Sequence, residues 1–305
     1  MNAESSRLRS TGITSSDMRA IWPGALLAVY LVGTGVLLLT GFGHVGIGVL
    51  VAHFAVLFAV GAATWTSIAP TWLRAWMPLL LLLFFYSEMP ALIQAAGHAH
   101  GFDAAVIRLE QALFGTQPAQ EWARAIPAPS VSEPLHLAYL AYYPIIYSVP
   151  LLLWKAGRRS DFHAAVFTLM LTFVACFLCY LIVPVAGPRY FWASAAPEGF
   201  FRSIATWLLE ARSSRGTAFP SSHVAVSVAQ SVLAIKYFGT RGAVVAVITA
   251  GLAAGAVYGG FHYAVDVLAG ILLGLLTAFG GLRLMRALLP DQAKAIAPTY
   301  SGSER

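Results

Sequence analysis

Phe219-Pro220-Ser221-Ser222-His223 opens one apolar run, and Gly259-Gly260-Phe261-His262-Tyr263-Ala264-Val265-Asp266 closes a later run and opens the next. These stretches decide the fold because each sets polar side chains at the mouth of an apolar segment. About 20 apolar residues span a bilayer as a helix, and the runs beside these clusters are of that order. Helix mouths of this kind are expected near a membrane surface, where water and a lipid headgroup can reach them. Upstream, Gly187-Pro188-Arg189 closes another apolar segment and adds a cation. Together the stretches supply what phosphoryl transfer through a histidine requires: a nucleophile, an orienting carboxylate, a proton donor and groups that hold phosphate.

The composition points the same way. The 305 residues are 58% hydrophobic and 10% charged, with a mean hydropathy of +0.72. Soluble domains carry about 25% charged residues, so the chain reads as an integral membrane protein. Its net charge of +6 sits in short loops between apolar runs. No basic stripe with interleaved aromatics accompanies it, which argues for membrane orientation rather than nucleic acid. Cys176 and Cys179 lie one turn apart within an apolar run. They read as packing residues rather than as a disulfide framework or metal site. The run after Arg19 lacks a cleavage site and reads as a retained span.

The expected fold is all-α: a polytopic helical bundle of about eight spans, near 21–41, 45–68, 75–96, 134–154, 162–185, 220–238, 242–260 and 262–284. Residues 1–19 read as a disordered cytoplasmic tail, 20–70 as two N-terminal spans, 71–286 as a six-helix catalytic core and 287–305 as a second tail. Between spans, Asp103–Phe114 places Val106, Ile107, Leu109, Leu113 and Phe114 around Arg108, Glu110 and Gln111. That suits a short amphipathic helix lying on the membrane. Gly251, Gly255 and Gly259 recur every four residues, as do Gly270 and Gly274, which marks close-packing faces. With eight spans, 13 of the 19 basic residues share the side of the termini and 6 lie opposite. The positive-inside rule then places the termini in the cytoplasm and Arg189, His223 and His262 on the extracytoplasmic face. The expected setting is the cell's inner or plasma membrane.

Asp266 follows His262 by one helical turn, so their side chains are neighbours. A carboxylate on one imidazole nitrogen fixes the tautomer and leaves the other nitrogen free to attack. Pro220, Ser221 and Ser222 suit the first turn of a helix, and the free N–H groups there form an anion site. A plain capping sequence explains the Pro and the two Ser residues; it does not explain why His223 follows at once. Arg189, Arg212 and Arg215 are candidate phosphate contacts, against the alternative of an interfacial or solvated charge. Glu88, in the outer part of the third span, is a candidate pocket residue, as intramembrane carboxylates tend to be functional. His53, mid-span, reads as a satisfied packing residue. His98 and His100 form a candidate metal pair that no further ligand spacing supports. No metal and no cofactor is therefore assigned.

Arg189, the Pro-Ser-Ser-His stretch and His262-x3-Asp266 together resemble the type 2 phosphatidic acid phosphatase superfamily. Its pattern is Lys-x6-Arg-Pro, then Pro-Ser-Gly-His, then Ser-Arg-x5-His-x3-Asp. The resemblance covers roughly 100–275 and implies a six-helix core, His262 as nucleophile, Asp266 as its orienter and His223 as the acid for the leaving group. It implies no metal. Four positions depart from the pattern: Ile182 stands for the Lys, Tyr190 for the Pro, Ser222 for the Gly, and Gly255-Ala256 for the Ser-Arg. Two phosphate-binding cations are thus missing, and Arg189, Arg212 or Arg215 must compensate. Arg108 to Gly115 with Pro118, and the stretch Tyr139 to Pro144, look like the inositol phosphorylceramide synthase branch, which makes Tyr142 and Tyr143 candidate pocket residues. The implied partners are the bilayer, a lipid phosphate or phospholipid and an acceptor, water or an alcohol. A polyprenyl pyrophosphate phosphatase and a non-enzymatic lipid carrier are the rival readings; intact His223, His262 and Asp266 argue against the carrier.

Overall fold

The computed structural model describes residues 15–41, 43, 45–98, 101–212 and 214–288. These residues fold as helices, and among them the one strand-like pairing is an isolated bridge between Val185 and Thr217. Helix α1 (Ser15–Thr40) starts inside the segment expected as a tail. Ser15, Ser16 and Asp17 are residue types that favour a first turn. The remainder of both expected tails, 1–14 and 289–305, lies outside the described residues.

Helix α2 (Ile47–Trp65) pairs with α1, and α3 (Thr71–Leu80) continues into α4 (Leu82–Ala95) past a break at Leu81. Two short helices follow, α5 (Asp103–Phe114) and α6 (Pro118–Ala125). The pair α7 (Pro129–Leu140) and α8 (Tyr142–Lys155) is bent by 43°. Pro144 explains the bend: it has no N–H to give to the Leu140 carbonyl one turn back. Then come α9 (Arg159–Ile182), α10 (Phe200–Arg212), α11 (Ser222–Phe238), α12 (Ala243–Tyr258) and α13 (Ala264–Leu288).

Among the described residues, six stretches are long and apolar enough to cross a bilayer, or seven with α7–α8 taken as one crossing. The eight spans expected from sequence depend on dividing the 37-residue stretch Ser222–Tyr258. That stretch is α11 and α12 joined by a 3-10 turn, Gly239–Gly242. The two helices pack against each other, which a straight rod could not do.

Helix α9 is the axis of the bundle. It packs on α1, α8, α11 and α13, and its side chains from Phe162 to Tyr180 are largely buried. Cys176 is buried in that core and both cysteines are free thiols. The glycine spacings act where backbones approach. A Cβ at Gly255 would lie 2.3 Å from the Leu135 carbonyl oxygen, so α12 is pressed on α7. At Gly270 and Gly274 it would lie 2.6 Å from the Ser221 carbonyl and 2.4 Å from that of Ala225, so α13 is pressed on the start of α11. No side chain larger than hydrogen fits at these contacts.

The N-terminal pair is tied to the bundle by a buried polar contact. His53 Nδ1 lies 2.7 Å from Glu88 Oε1, and His53 Nε2 lies 2.8 Å from the Leu31 carbonyl. His53 is thus satisfied, as its mid-span position suggests, and its partner is Glu88.

Helix α5 occupies the expected residues but presents a different face. Asp103, Val106 and Glu110 are buried, whereas Leu109, Leu113 and Phe114 are exposed. The acidic side chains are the inward ones because they meet unpaired backbone N–H groups, described below. The apolar side chains are free to face lipid.

Candidate active site

The site lies where the ends of α9, α11, α12 and α13 gather. Helix α11 begins at Ser222, capped by Ser221 Oγ, which accepts from the Val224 N–H at 3.4 Å. The Ser221 N–H in turn donates to the Asp266 carbonyl at 3.0 Å, joining the starts of α11 and α13. This joint requires the close approach at Gly270.

His262 sits in the turn between α12 and α13. The N–H groups of Phe261 and His262 both donate to the Ala256 carbonyl at 3.0 Å. Its ring Nδ1 lies 3.1 Å from the Ala218 carbonyl. A carbonyl only accepts, so Nδ1 carries the proton and Nε2 is left with its lone pair. Asp266 Oδ2 lies 3.5 Å from the same Nδ1, and accepts the Tyr263 N–H at 2.9 Å. The tautomer is therefore set first by a backbone carbonyl, and the carboxylate acts on the ring through its charge. Asp266 is fully buried and His262 is 5% exposed, so that charge acts with little screening by water.

The His223 ring centroid is 5.6 Å from that of His262. Tyr139 stacks on it at 5.1 Å and Tyr142 packs at 4.3 Å, both tyrosines coming from the two sides of the α7–α8 bend. The bend thus shapes the site. His223, His262, Ser222, Arg189, Tyr142 and Tyr143 all line one cavity of about 270 Å³, with apolar wall from Leu83, Leu208, Leu209 and Phe261. Ser222 Oγ is 2.6 Å from Tyr86 Oη.

Other expected residues stand apart. Ser221 is fully buried behind the wall as the cap. Glu88 is not on the cavity wall; its neighbours Tyr86 and Ser87 are. Two residues along a helix turn the side chain by about 200°, which carries Glu88 away to His53. His98 Nε2 meets the Leu181 carbonyl at 2.7 Å, and His100 lies outside the described residues, as does the side chain of Arg212.

Arg189 and Arg215 meet over one ring. Their guanidinium carbons lie 4.5 and 4.7 Å from the centroid of Tyr190, whose hydroxyl accepts from Arg189 at 2.5 Å. Arg215 is exposed and off the cavity wall. The Tyr that replaces a Pro in the resembled pattern is the residue that gathers the two cations. Ile182, at the position of the absent Lys, is 67% exposed.

Sequence reasoning missed Asp103, which bonds the turn before Arg189, and Glu110, which bonds the start of α13. The Glu110 carboxyl is raised to about 7: burial pushes it up most, the N–H groups of Ala264 and Val265 pull it back, and the Asp266 charge adds to the rise. Asp103, Val106 and Glu110 fall on one helical face, and that spacing was the available signal.

The family profile described as the PAP2 superfamily matches residues 104–279, more than half of the chain. The chain belongs to the PAP2 superfamily. Its members are generally phosphatases or phosphotransferases, and the match covers Arg189, His223, His262 and Asp266. No curated protein and no solved structure matches.

Proposed function

We propose that this PAP2-superfamily membrane protein cleaves a lipid phosphoester through a phosphohistidine intermediate. The observation that carries the reading is the pair of histidine rings, 5.6 Å apart on one cavity wall with Arg189. In the first step His262 Nε2 attacks phosphorus, and the bond from phosphorus to the leaving oxygen breaks. His223 gives that oxygen a proton. The positive charge that develops on His262 is balanced by buried Asp266. In the second step water or an alcohol attacks the phosphorus, its proton passes to His223, and His262 leaves as the neutral ring. Arg189, with the N–H groups at the start of α11, faces the phosphoryl oxygens.

A wall carrying Leu83, Leu208, Leu209 and Phe261 suits the glycerol or acyl end of a lipid. The helix ends that form the site belong to the extracytoplasmic side if the eight-span topology holds. The likeness of α5 and of Tyr139 to Pro144 to the inositol phosphorylceramide synthase branch favours transfer to an alcohol as the second reading.

The test separates the two histidines. An alkoxide is a poor leaving group, so a positioned acid contributes about 100- to 10,000-fold. His223→Ala should therefore impair turnover of an alkyl phosphate far more than that of a nitrophenyl ester, which leaves without help. His262→Ala should impair both. If His223→Ala penalises the two substrates equally while His262→Ala spares the activated ester, the roles are exchanged.

A further inference from the structure

Two arms of the site present backbone N–H groups that their own side chains do not meet. One is the turn Ala186–Gly187 that leads into Arg189. The other is the start of α13, where the first N–H groups have no helical partner. Both are met by carboxylates from a single distant helix. Asp103 Oδ2 accepts from the Ala186 N–H and Asp103 Oδ1 from the Gly187 N–H, each at 2.9 Å. Glu110 Oε1 accepts from the Ala264 N–H at 2.5 Å and from the Val265 N–H at 3.3 Å. Val106, between the two acids, packs with Val185, Ala218, Tyr263 and Val265, which belong to the same arms.

The spacing is what one helix can deliver. Seven residues separate the acids, two turns or about 10.5 Å along the axis. Asp103 is 5% exposed and Glu110 fully buried, so both sets of bonds form out of water, where a backbone N–H left without an acceptor is costly. Gly187 has φ +99°, a conformation that ordinary residues avoid, and it is held by the Asp103 bond. Ala218, whose carbonyl orients His262, is held separately: its N–H donates to the Val185 carbonyl at 2.9 Å.

We infer that α5 is the positioning element of this site, with Asp103 setting the turn that carries Arg189 and Glu110 setting the helix start that carries His262 and Asp266. Neither acid lines the cavity, and each acts chiefly through the backbone it holds, with Asp103 Oδ1 also accepting from the Tyr263 hydroxyl at 3.3 Å. Loss of Asp103 therefore falls on phosphate binding, and loss of Glu110 falls on the chemical step.

The kinetic form of this inference rests on the phosphohistidine reading, so the experiment has a binding arm that does not. Full-length protein in detergent is assayed with dioctanoyl phosphatidic acid, and inorganic phosphate binding is measured by 31P NMR. Asp103→Ala should weaken phosphate binding and raise KM about tenfold, roughly the worth of one charge-assisted bond, with kcat little changed. Glu110→Ala should lower kcat by about 100-fold, as expected for a displacement near 1 Å, while phosphate binding is kept. Glu110→Gln retains the accepting oxygen and should regain most of kcat. Should the alanine variants fail to fold, Asp103→Asn, which turns one N–H acceptor into a donor, and Glu110→Asp, which draws the acceptor back by one methylene, carry the same split. Equal effects of both acids on kcat and on phosphate binding, or lowered melting temperature with unchanged kinetics, would overturn the inference. If His262→Ala keeps its turnover, the reaction reading falls. The effect of Asp103 on phosphate binding still decides the positioning role.

Discussion

Gly270→Ala tests the geometry most directly. The added Cβ would stand 2.6 Å from the Ser221 carbonyl oxygen, and ordinary contact begins near 3.4 Å, so the helix starts must part by about 0.8 Å. The bond from the Ser221 N–H to the Asp266 carbonyl, 3.0 Å long, would stretch beyond hydrogen-bond range. Overpacking costs about 1–3 kcal/mol, and the lost bond adds about 1 kcal/mol. The same movement carries Asp266 and His262 away from Ser222 and His223, and a displacement near 1 Å can cost about 100-fold in rate. The control lies on the same helix: a Cβ at Gly280 meets nothing within 4 Å. Gly280→Ala should hold its activity and gain a few tenths to about 1 kcal/mol from helix propensity. The two variants are compared by kcat/KM on a short-chain lipid phosphate and by melting in detergent. If Gly270→Ala matches Gly280→Ala in both, the close approach does not hold the site.

Tyr190→Leu removes the ring that Arg189 and Arg215 share, and phosphate inhibition should weaken roughly fivefold to thirtyfold, given about 0.5–1 kcal/mol for each of the two cation–π contacts; an unchanged inhibition constant would detach Tyr190 from phosphate binding. Glu110, raised from 4.5 to about 7 in the fold, binds a proton that the unfolded chain releases. Its contribution is therefore complete below about pH 4.5 and is lost as pH rises through about 7. Melting temperature should fall more steeply across that window for the wild type than for Glu110→Gln; parallel slopes would contradict the assignment. For orientation, a cysteine introduced between Ala193 and Glu198 should react with an impermeant thiol reagent on intact cells, and one between Gly157 and Ser160 should not. The reverse pattern would place the chemistry in the cytoplasm.

Much of the site was legible because its residues stand at the ends of apolar runs. Counting runs puts His223, His262 and Asp266 at neighbouring helix ends, where the structure brings them together, and Gly270 and Gly274 announced a close contact by spacing alone. Partners across long sequence gaps were not legible. Nothing near Asp103 says that its acceptors face the N–H groups of residues 186 and 187, and nothing near His262 says that the Ala218 carbonyl lies closer to its ring than Asp266 does. Hydropathy also misled at α5, where acidic residues point inward: periodicity reports which face is apolar, not which face finds backbone donors. Glu88 was read by its depth, and depth alone could not distinguish the cavity wall from the opposite side of the same helix.

The pairing of His53 with Glu88 has a consequence for how the chain can be divided. Because His53 Nε2 must donate to the Leu31 carbonyl, the contact of Nδ1 with Glu88 can be made only if a proton lies between them. Ring and carboxylate are thus a neutral couple inside the bilayer, and each alone would be a polar intruder in hydrocarbon. The two N-terminal helices lie outside the matched family segment, 104–279. A chain shortened to begin at residue 71 would still carry Glu88, now without its counter-group, in the outer part of its span, at a cost below the roughly 3 kcal/mol of an acid at the centre of a membrane helix. The family match begins only at residue 104, yet the buried His53–Glu88 contact makes the N-terminal helices part of one physical unit with the bundle that carries the site.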